Sequence, residues 1–287
     1  MASRKEQKEL SRAARLAKQQ AAEARAKKQQ RTAIFGGIVA AAAVIIAVVV
    51  LIAAGVFSSG SNSGNGGSSS SILLKGAAQR QLLATVNSEL HGIPQSGVTL
   101  GNPQAKVQLT YFGDLQCPVC AAFTKLVLPS FIKTEVRTGV ASVRYRSSCT
   151  ATCNDYSQSL FNTQQSAAYA AGQQNKFWQY AELFYRQQGA EGSGYVTPAF
   201  INGIAQHIAG LNYQRWQADR ADKRLISQVA SDEKLAGQVA KAAGLSGLVT
   251  PTLYIKGPAG SEVVSGTDGE YAFPSAAALQ QAVKAVS

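Results

Sequence analysis

Residues 33–57, AIFGGIVAAAAVIIAVVVLIAAGVF, contain neither a charge nor a proline. As a helix this run is about 35–40 Å long, enough to cross a hydrocarbon layer of about 30 Å with some tilt. A helix packed in a soluble core keeps a polar stripe, and this run has none. It therefore divides the chain, and any globular domain must form from the residues after it. The net charge is +12, and more than half of it lies in the segment before the run, RKEQKELSRAARLAKQQAAEARAKKQQR. A basic stripe beside a membrane span is explained by the positive-inside rule without a nucleic-acid ligand. Residues 1–32 then form a cytoplasmic leader, 33–57 a single membrane-spanning helix, and all later residues lie outside the cytoplasm. Cleavage as a signal peptide is the competing reading: small residues follow in AAGVFSSG, although the leader and the apolar run are both long for that role. Gly36 and Ala40 fall at a small-x-x-x-small spacing that supports helix pairing, a weak pattern.

Residues 58–71, SSGSNSGNGGSSSS, are dominated by Gly, Ser and Asn. They cannot bury a core and read as a flexible tether with a reach of roughly 20 Å. Residues 72–97 form a helical lead-in, with Leu74, Ala78, Leu82 and Val86 at helical spacing. A short strand, a turn at Asn102-Pro103 and a second strand from Lys106 to Phe112 come next. Residues 123–137 read as a helix that Pro129 kinks or breaks. VASVRYRSS alternates as a strand. A long helical region runs from about Tyr156 to Ala243. In it Phe177, Ala181, Phe184 and Tyr185 share one face, and Thr197-Pro198 marks a helix start. TPTLYIKG and EVVSG form a strand pair joined through GPAGS. The last helix carries Leu279 and Val283 on one face. Strand, helix, strand, helical insertion, strand, strand, helix is the order of an α/β domain with a mixed sheet covered on both faces.

All four cysteines, Cys117, Cys120, Cys149 and Cys153, follow the apolar run. On this topology they occupy a compartment where disulfides persist, and their even number fits pairing. In CPVC, Pro118 suits the first position of a helix, where its missing N–H costs nothing. The unpaired N–H groups of that first turn then face the Cys117 sulfur and favour its thiolate. Cys120 stands one turn on, within reach of a disulfide. Attack at Cys117 and resolution by Cys120 give thiol–disulfide exchange a physical basis. The spacing alone is also that of zinc sites and of structural pairs.

Three stretches in order, NPQAKVQLTYFGDLQCPVC, NKFWQYAELFYRQQ and GLVTPTLYIKG, resemble the DsbA-like thiol–disulfide oxidoreductases over residues 98–287. The resemblance implies a thioredoxin-like fold with an inserted helical domain. It implies catalytic Cys117 and Cys120, no cofactor, and a cis-proline at Pro251 that with Thr250 docks an extended substrate by strand addition. It also implies exported proteins as clients and a quinone-linked membrane protein as reoxidant. The chain departs from the pattern in two places. Many relatives carry a buried acid six residues before the first cysteine, where this chain has Tyr111. The dipeptide Pro118-Val119 also lacks the histidine of the strongest oxidants. Asp114, three residues before Cys117, is a candidate for proton transfer or a solvated turn aspartate.

The second pair, in SSCTATCND, is read first as a structural disulfide between Cys149 and Cys153. A second redox pair that relays electrons is an alternative, and so is a zinc site built from all four cysteines. No histidine or carboxylate cluster is apparent near either pair in the sequence, and no metal is assigned. His91 and His207 are isolated; Trp178 and Phe177 are core residues or line a substrate groove. The expected activity is extracytoplasmic oxidation of cysteine pairs in exported proteins. The rivals are reduction of a narrow client, such as a cytochrome or a metal-site thiol, and a non-redox peptide-binding or zinc-stabilised domain.

Overall fold

A computed structural model of the chain describes residues 73–245, 247–264 and 273–287. The basic leader, the apolar run and the tether lie outside the described residues. Among the described residues no helix is long and apolar enough to cross a membrane.

The first helix, α1 (Gly76–Leu90), begins two residues after Leu74. Leu74 and Ala78 are exposed, and the inward face is instead Leu82, Leu83, Val86 and Leu90. Of the predicted stripe, Leu82 and Val86 pack inward as expected, whereas Leu74, which precedes the helix, and Ala78 do not. Arg186 ties α1 to the rest of the domain by bridging Glu89 at 2.6 Å and Glu182 at 2.9 Å.

Six strands form one sheet in the order β1-β2-β4-β3-β5-β6. They are β1 (Gln95–Ser96), β2 (Thr99–Leu100), β3 (Val107–Gly113), β4 (Ala141–Ser147), β5 (Thr252–Gly257) and β6 (Gly260–Val264). Only β3 and β4 pair in parallel, with Val107 opposite Ala141 and Gly113 opposite Ser147. The other pairs are antiparallel. The edge strand β1 lies inside the segment that the sequence assigns to a helical lead-in. β3 is buried at every position but Gln108, as expected of a central strand covered on both faces. β5 and β6 are joined by the tight turn at Pro258-Ala259, which is the predicted pairing.

The connection from β3 to β4 is broken where its side-chain and backbone chemistry require. α2 (Pro118–Leu126) opens with proline and stops at Val127, and α3 (Leu128–Phe131) restarts with Pro129 in its first turn. A single π-type turn (Ile132–Val136) completes the connection. The predicted interruption is present as a break, and Pro129 stands in the first turn of the helix that restarts, where a proline lacking an N–H is tolerated.

Between β4 and β5 the chain forms α4 (Ala151–Asp155), α5 (Gln158–Gly172), α6 (Phe177–Arg186), α7 (Pro198–Gln206), α8 (Tyr213–Asp219) and α9 (Lys223–Ala242). α7 starts as predicted, with the Thr197 hydroxyl accepting from Phe200 N. Phe177, Ala181, Phe184 and Tyr185 are all buried on α6. Trp178 belongs to the core, where its Nε1 donates to Val98 O at 3.1 Å. α9 is anchored to the end of β4 by its buried Asp232, which accepts from Arg146 at 2.6 Å and from the Tyr169 hydroxyl. The closing helix, α10 (Ala276–Val286), buries Leu279 and Val283 as predicted. The described domain is an α/β thioredoxin-like fold with a mixed sheet and a helical insertion between β4 and β5.

Candidate active site

β3 ends at Gly113, and the chain needs four residues to turn from the sheet into α2. Cys117 is the last of them and caps the helix. Its backbone is extended (φ −69°, ψ 118°), and its Sγ accepts from Cys120 N at 3.4 Å. Cys117 is 5% exposed and Cys120 0%. Both are thiols in this structure. The Cys117 sulfur also donates to the Thr250 carbonyl at 3.2 Å. Thr250 is on the loop that enters β5, and its peptide bond to Pro251 is cis. The backbone of the turn is held from the insertion by Gln188, whose Nε2 donates to Leu115 O at 2.6 Å and Cys117 O at 3.2 Å.

The two thiols have opposite electrostatics. A hydrogen bond from the Cys120 side chain holds Cys117 below the usual thiol range, helped by the Thr250 side chain and the Cys120 N–H and opposed by burial and by the charge of Asp114. Burial pushes the Cys120 thiol well above that range, and its interaction with the neighbouring Cys117 adds to the rise. A thiolate is the nucleophile and the better leaving group, so the two sulfurs are chemically unequal.

Tyr111, six residues before Cys117, where the resemblance leads one to expect a buried acid, is itself fully buried. Burial keeps its phenol neutral. Its hydroxyl donates to Cys120 O at 3.4 Å, and its ring packs edge-on against Phe123 at 5.2 Å and Tyr145 at 5.4 Å. The floor beneath Cys120 is thus aromatic and uncharged at this position.

Asp114 is fully buried, not a solvated turn residue. Its Oδ1 accepts from Gln116 N (3.0 Å), Thr152 Oγ1 (2.6 Å) and Gln164 Nε2 (3.2 Å). Its Oδ2 accepts from Thr150 N (3.1 Å) and Thr152 N (2.8 Å). The carboxylate thereby clamps the turn that carries the second cysteine pair. Cys149 and Cys153 form a disulfide across the start of α4, which removes two of the four thiolates that a shared zinc site needs. Among the described residues no three His, Cys, Asp or Glu side chains gather as a metal site. His91 and His207 are exposed, and the His207 Nδ1 meets Gly203 O at 2.6 Å.

A groove of about 480 Å³ runs along the front of Cys117. One wall is Pro118 and Val119, another the Cys149–Ala151 turn, and a third Leu248, Val249 and Thr250. Val249 is 71% exposed. The structure brings Cys117, Cys120, Thr250, Pro251, Asp114 and the second disulfide into one neighbourhood. Single carboxylates come close to the cysteine pairs without forming a cluster among the described residues. Beside Asp114, Glu191 lines the groove and Glu233 accepts from Cys149 N at 2.6 Å. Both come from the insertion, far along the chain, so spacing in the sequence gives no sign of them. Thr150 is a further site residue that the sequence reading misses, and its only local signal is its place between the paired cysteines. The role of Asp114 has a legible trace: a bond from the N–H two residues on is the turn habit of aspartate.

Residues 94–265 match a family model described as Thioredoxin. BdbD from Bacillus subtilis in its oxidised form superposes with a TM-score of 0.52 at 17% identity, covering 67% of this chain and 94% of that one. DsbA from Chlamydia trachomatis superposes with a TM-score of 0.49 at 19% identity, covering 65% and 89%. A curated relative, Na(+)/H(+) antiporter NhaA 1 of Salinispora arenicola, is 28% identical over 159 residues, which are 55% of this chain and 21% of that protein. The chain thus spans about a fifth of the length of that relative.

Proposed function

From a chain that belongs to the thioredoxin family, we propose a DsbA-type thiol–disulfide oxidoreductase, anchored in the membrane by residues 33–57 and working outside the cytoplasm. Its clients are the cysteine pairs of exported proteins. The observation that carries this reading is the inequality of the two sulfurs. Cys117 sits at a helix cap on a groove with its thiolate favoured, and Cys120 is sealed behind it with its thiol favoured.

The exchange then runs in two displacements. With Cys117 and Cys120 joined, a client thiolate attacks Cys117 Sγ, and Cys120 leaves and takes up a proton. A second client thiolate attacks the client sulfur of the mixed disulfide, and Cys117 leaves as a thiolate. Two electrons pass from the client to the pair; of the two protons that the client thiols give up on ionising, one is taken up by Cys120 and the other stays in solvent while Cys117 is a thiolate. A sulfur of low pKa leaves fast, so the acidity of Cys117 favours release of an oxidised client over reduction of one. This is our reason for preferring an oxidase to a reductase of a narrow client. Thr250, held by its cis bond to Pro251, borders the groove from the β5 side, where the backbone of an extended client can pair. A separate oxidant must restore the disulfide, and a quinone-linked membrane protein fits that need. The Cys149–Cys153 disulfide supports an oxidising compartment.

Cys120→Ala tests the reading. Offered a peptide that contains one disulfide, the variant forms a mixed disulfide through Cys117 that persists because nothing resolves it. The adduct is read as a mass increase that a reductant removes. A peptide-binding or zinc-stabilised domain without redox chemistry gives no covalent adduct, and that result contradicts the proposal.

A further inference from the structure

The turn holding the second disulfide reaches the exchange site through one side chain. The Thr150 Oγ1 lies 2.5 Å from the Thr250 Oγ1, and the Thr250 carbonyl accepts from Cys117 Sγ at 3.2 Å. The turn leaves Thr150 little freedom. Its own N–H and that of Thr152 are bonded to Asp114, the Cys149 N–H is bonded to Glu233, and a disulfide closes the segment from Cys149 to Cys153. Cys149, Thr150 and Thr250 also line the same groove as Cys117.

A hydroxyl carries one proton and accepts through two lone pairs. At 2.5 Å one of the two threonines donates to the other. If Thr150 donates, the Thr250 proton is left free to turn toward the Cys117 sulfur, and accepting a bond polarises it further in that direction. If Thr250 donates instead, its proton is spent away from the sulfur. Ionisation of Cys117 selects the first arrangement, because a thiolate rewards any donor aimed at it.

We propose that Thr150 is a positioning residue of the exchange site, acting on Cys117 through Thr250, and that the Cys149–Cys153 disulfide holds it in place. This rests on the reading of Cys117 as the exchanging sulfur. The second cysteine pair is then more than a local staple: the reactivity of the first pair depends on the second being closed. The direction is fixed as well. Loss of the Thr150 hydroxyl, or of the closure that positions it, makes Cys117 less acidic.

The test uses the full-length reduced-site protein in detergent and follows alkylation of Cys117 by iodoacetamide as a function of pH. Thr150→Val keeps the shape of the side chain and removes the hydroxyl. Its alkylation at a pH below the wild-type midpoint is about fivefold slower, the scale of one ordinary hydrogen bond, and its midpoint moves up. Thr150→Ser restores the hydroxyl and the wild-type profile. Cys149→Ser combined with Cys153→Ser moves in the direction of Thr150→Val. Continued protection of the buried Cys120 from the reagent shows that each variant has folded. An unchanged midpoint in Thr150→Val, or a Thr150→Ser profile that shifts with it, overturns the inference and leaves the exchange reading standing. An ordinary thiol at Cys117 in the wild type overturns both.

Discussion

Cys117→Ala lowers oxidation of a reduced, unfolded client to the uncatalysed background, a loss on the order of 10³-fold or more, as when a covalent nucleophile is removed. No other sulfur can take over. Cys120 is sealed from solvent, and burial disfavours its thiolate. Cys149 and Cys153 are bonded to one another. The fold itself should survive. The side chain caps α2 through one long bond at 3.4 Å, and a lost cap of that kind costs about 1 kcal/mol. Counting client thiols over time, with a thermal melt in parallel, separates loss of chemistry from loss of structure. A variant that melts like the wild type and still oxidises its client would move the nucleophile elsewhere.

Asp114→Ala destabilises the domain by about 3–5 kcal/mol, the scale of leaving several buried N–H groups without an acceptor at about 1–3 kcal/mol each. The five donors to the carboxylate do not all suffer equally. Gln164 keeps a second acceptor for the same Nε2 in Thr152 Oγ1, at 2.9 Å. The N–H groups of Gln116, Thr150 and Thr152 have no such alternative, and Asp114 is their acceptor. The loss therefore falls on the two turns that Asp114 joins, the one before α2 and the one behind the groove. Chemical denaturation of the purified protein gives the difference in midpoint directly. Asp114→Asn retains an acceptor but turns two donors toward donors, so it falls between the wild type and the alanine variant. A change below about 1 kcal/mol in Asp114→Ala would mean that the turn is held by other means.

The main architecture was legible because it is written in short-range chemistry. Pro118 after a cysteine, Pro198 after a threonine and the apolar faces of α6 and α10 are local signals, and the structure has the corresponding helix starts and buried faces. The order of elements along the chain was accessible once the 2-residue period of β4 and the turn between β5 and β6 were read; the order of the strands within the sheet was not. What failed to show was the start of α1: Leu82 and Val86 pack as their period predicts, while Leu74 precedes the helix and Ala78, in its first turn, faces solvent. A helical period fixes a face only after the helix start is known. The site divides in the same way. CPVC states its own geometry, whereas the Thr150–Thr250 contact joins residues a hundred positions apart. Glu233 reaches Cys149 from α9. Only the fold brings these groups together, and the residue between two cysteines carries no mark of what it will touch.

The central claim is that the environment of Cys117 makes its sulfur acidic, and titration of the reduced protein tests it most directly. Thiolate absorbance in the ultraviolet, compared between the wild type and Cys117→Ala, isolates the one ionisation. Hydrogen bonds that favour the charged form lower the pKa, so the Cys117 thiolate appears as pH rises through a midpoint below the ordinary thiol value of about 8.5. Cys120 contributes nothing in that window, because its own ionisation is pushed above it. A Cys117 midpoint at or above the ordinary value would contradict the account.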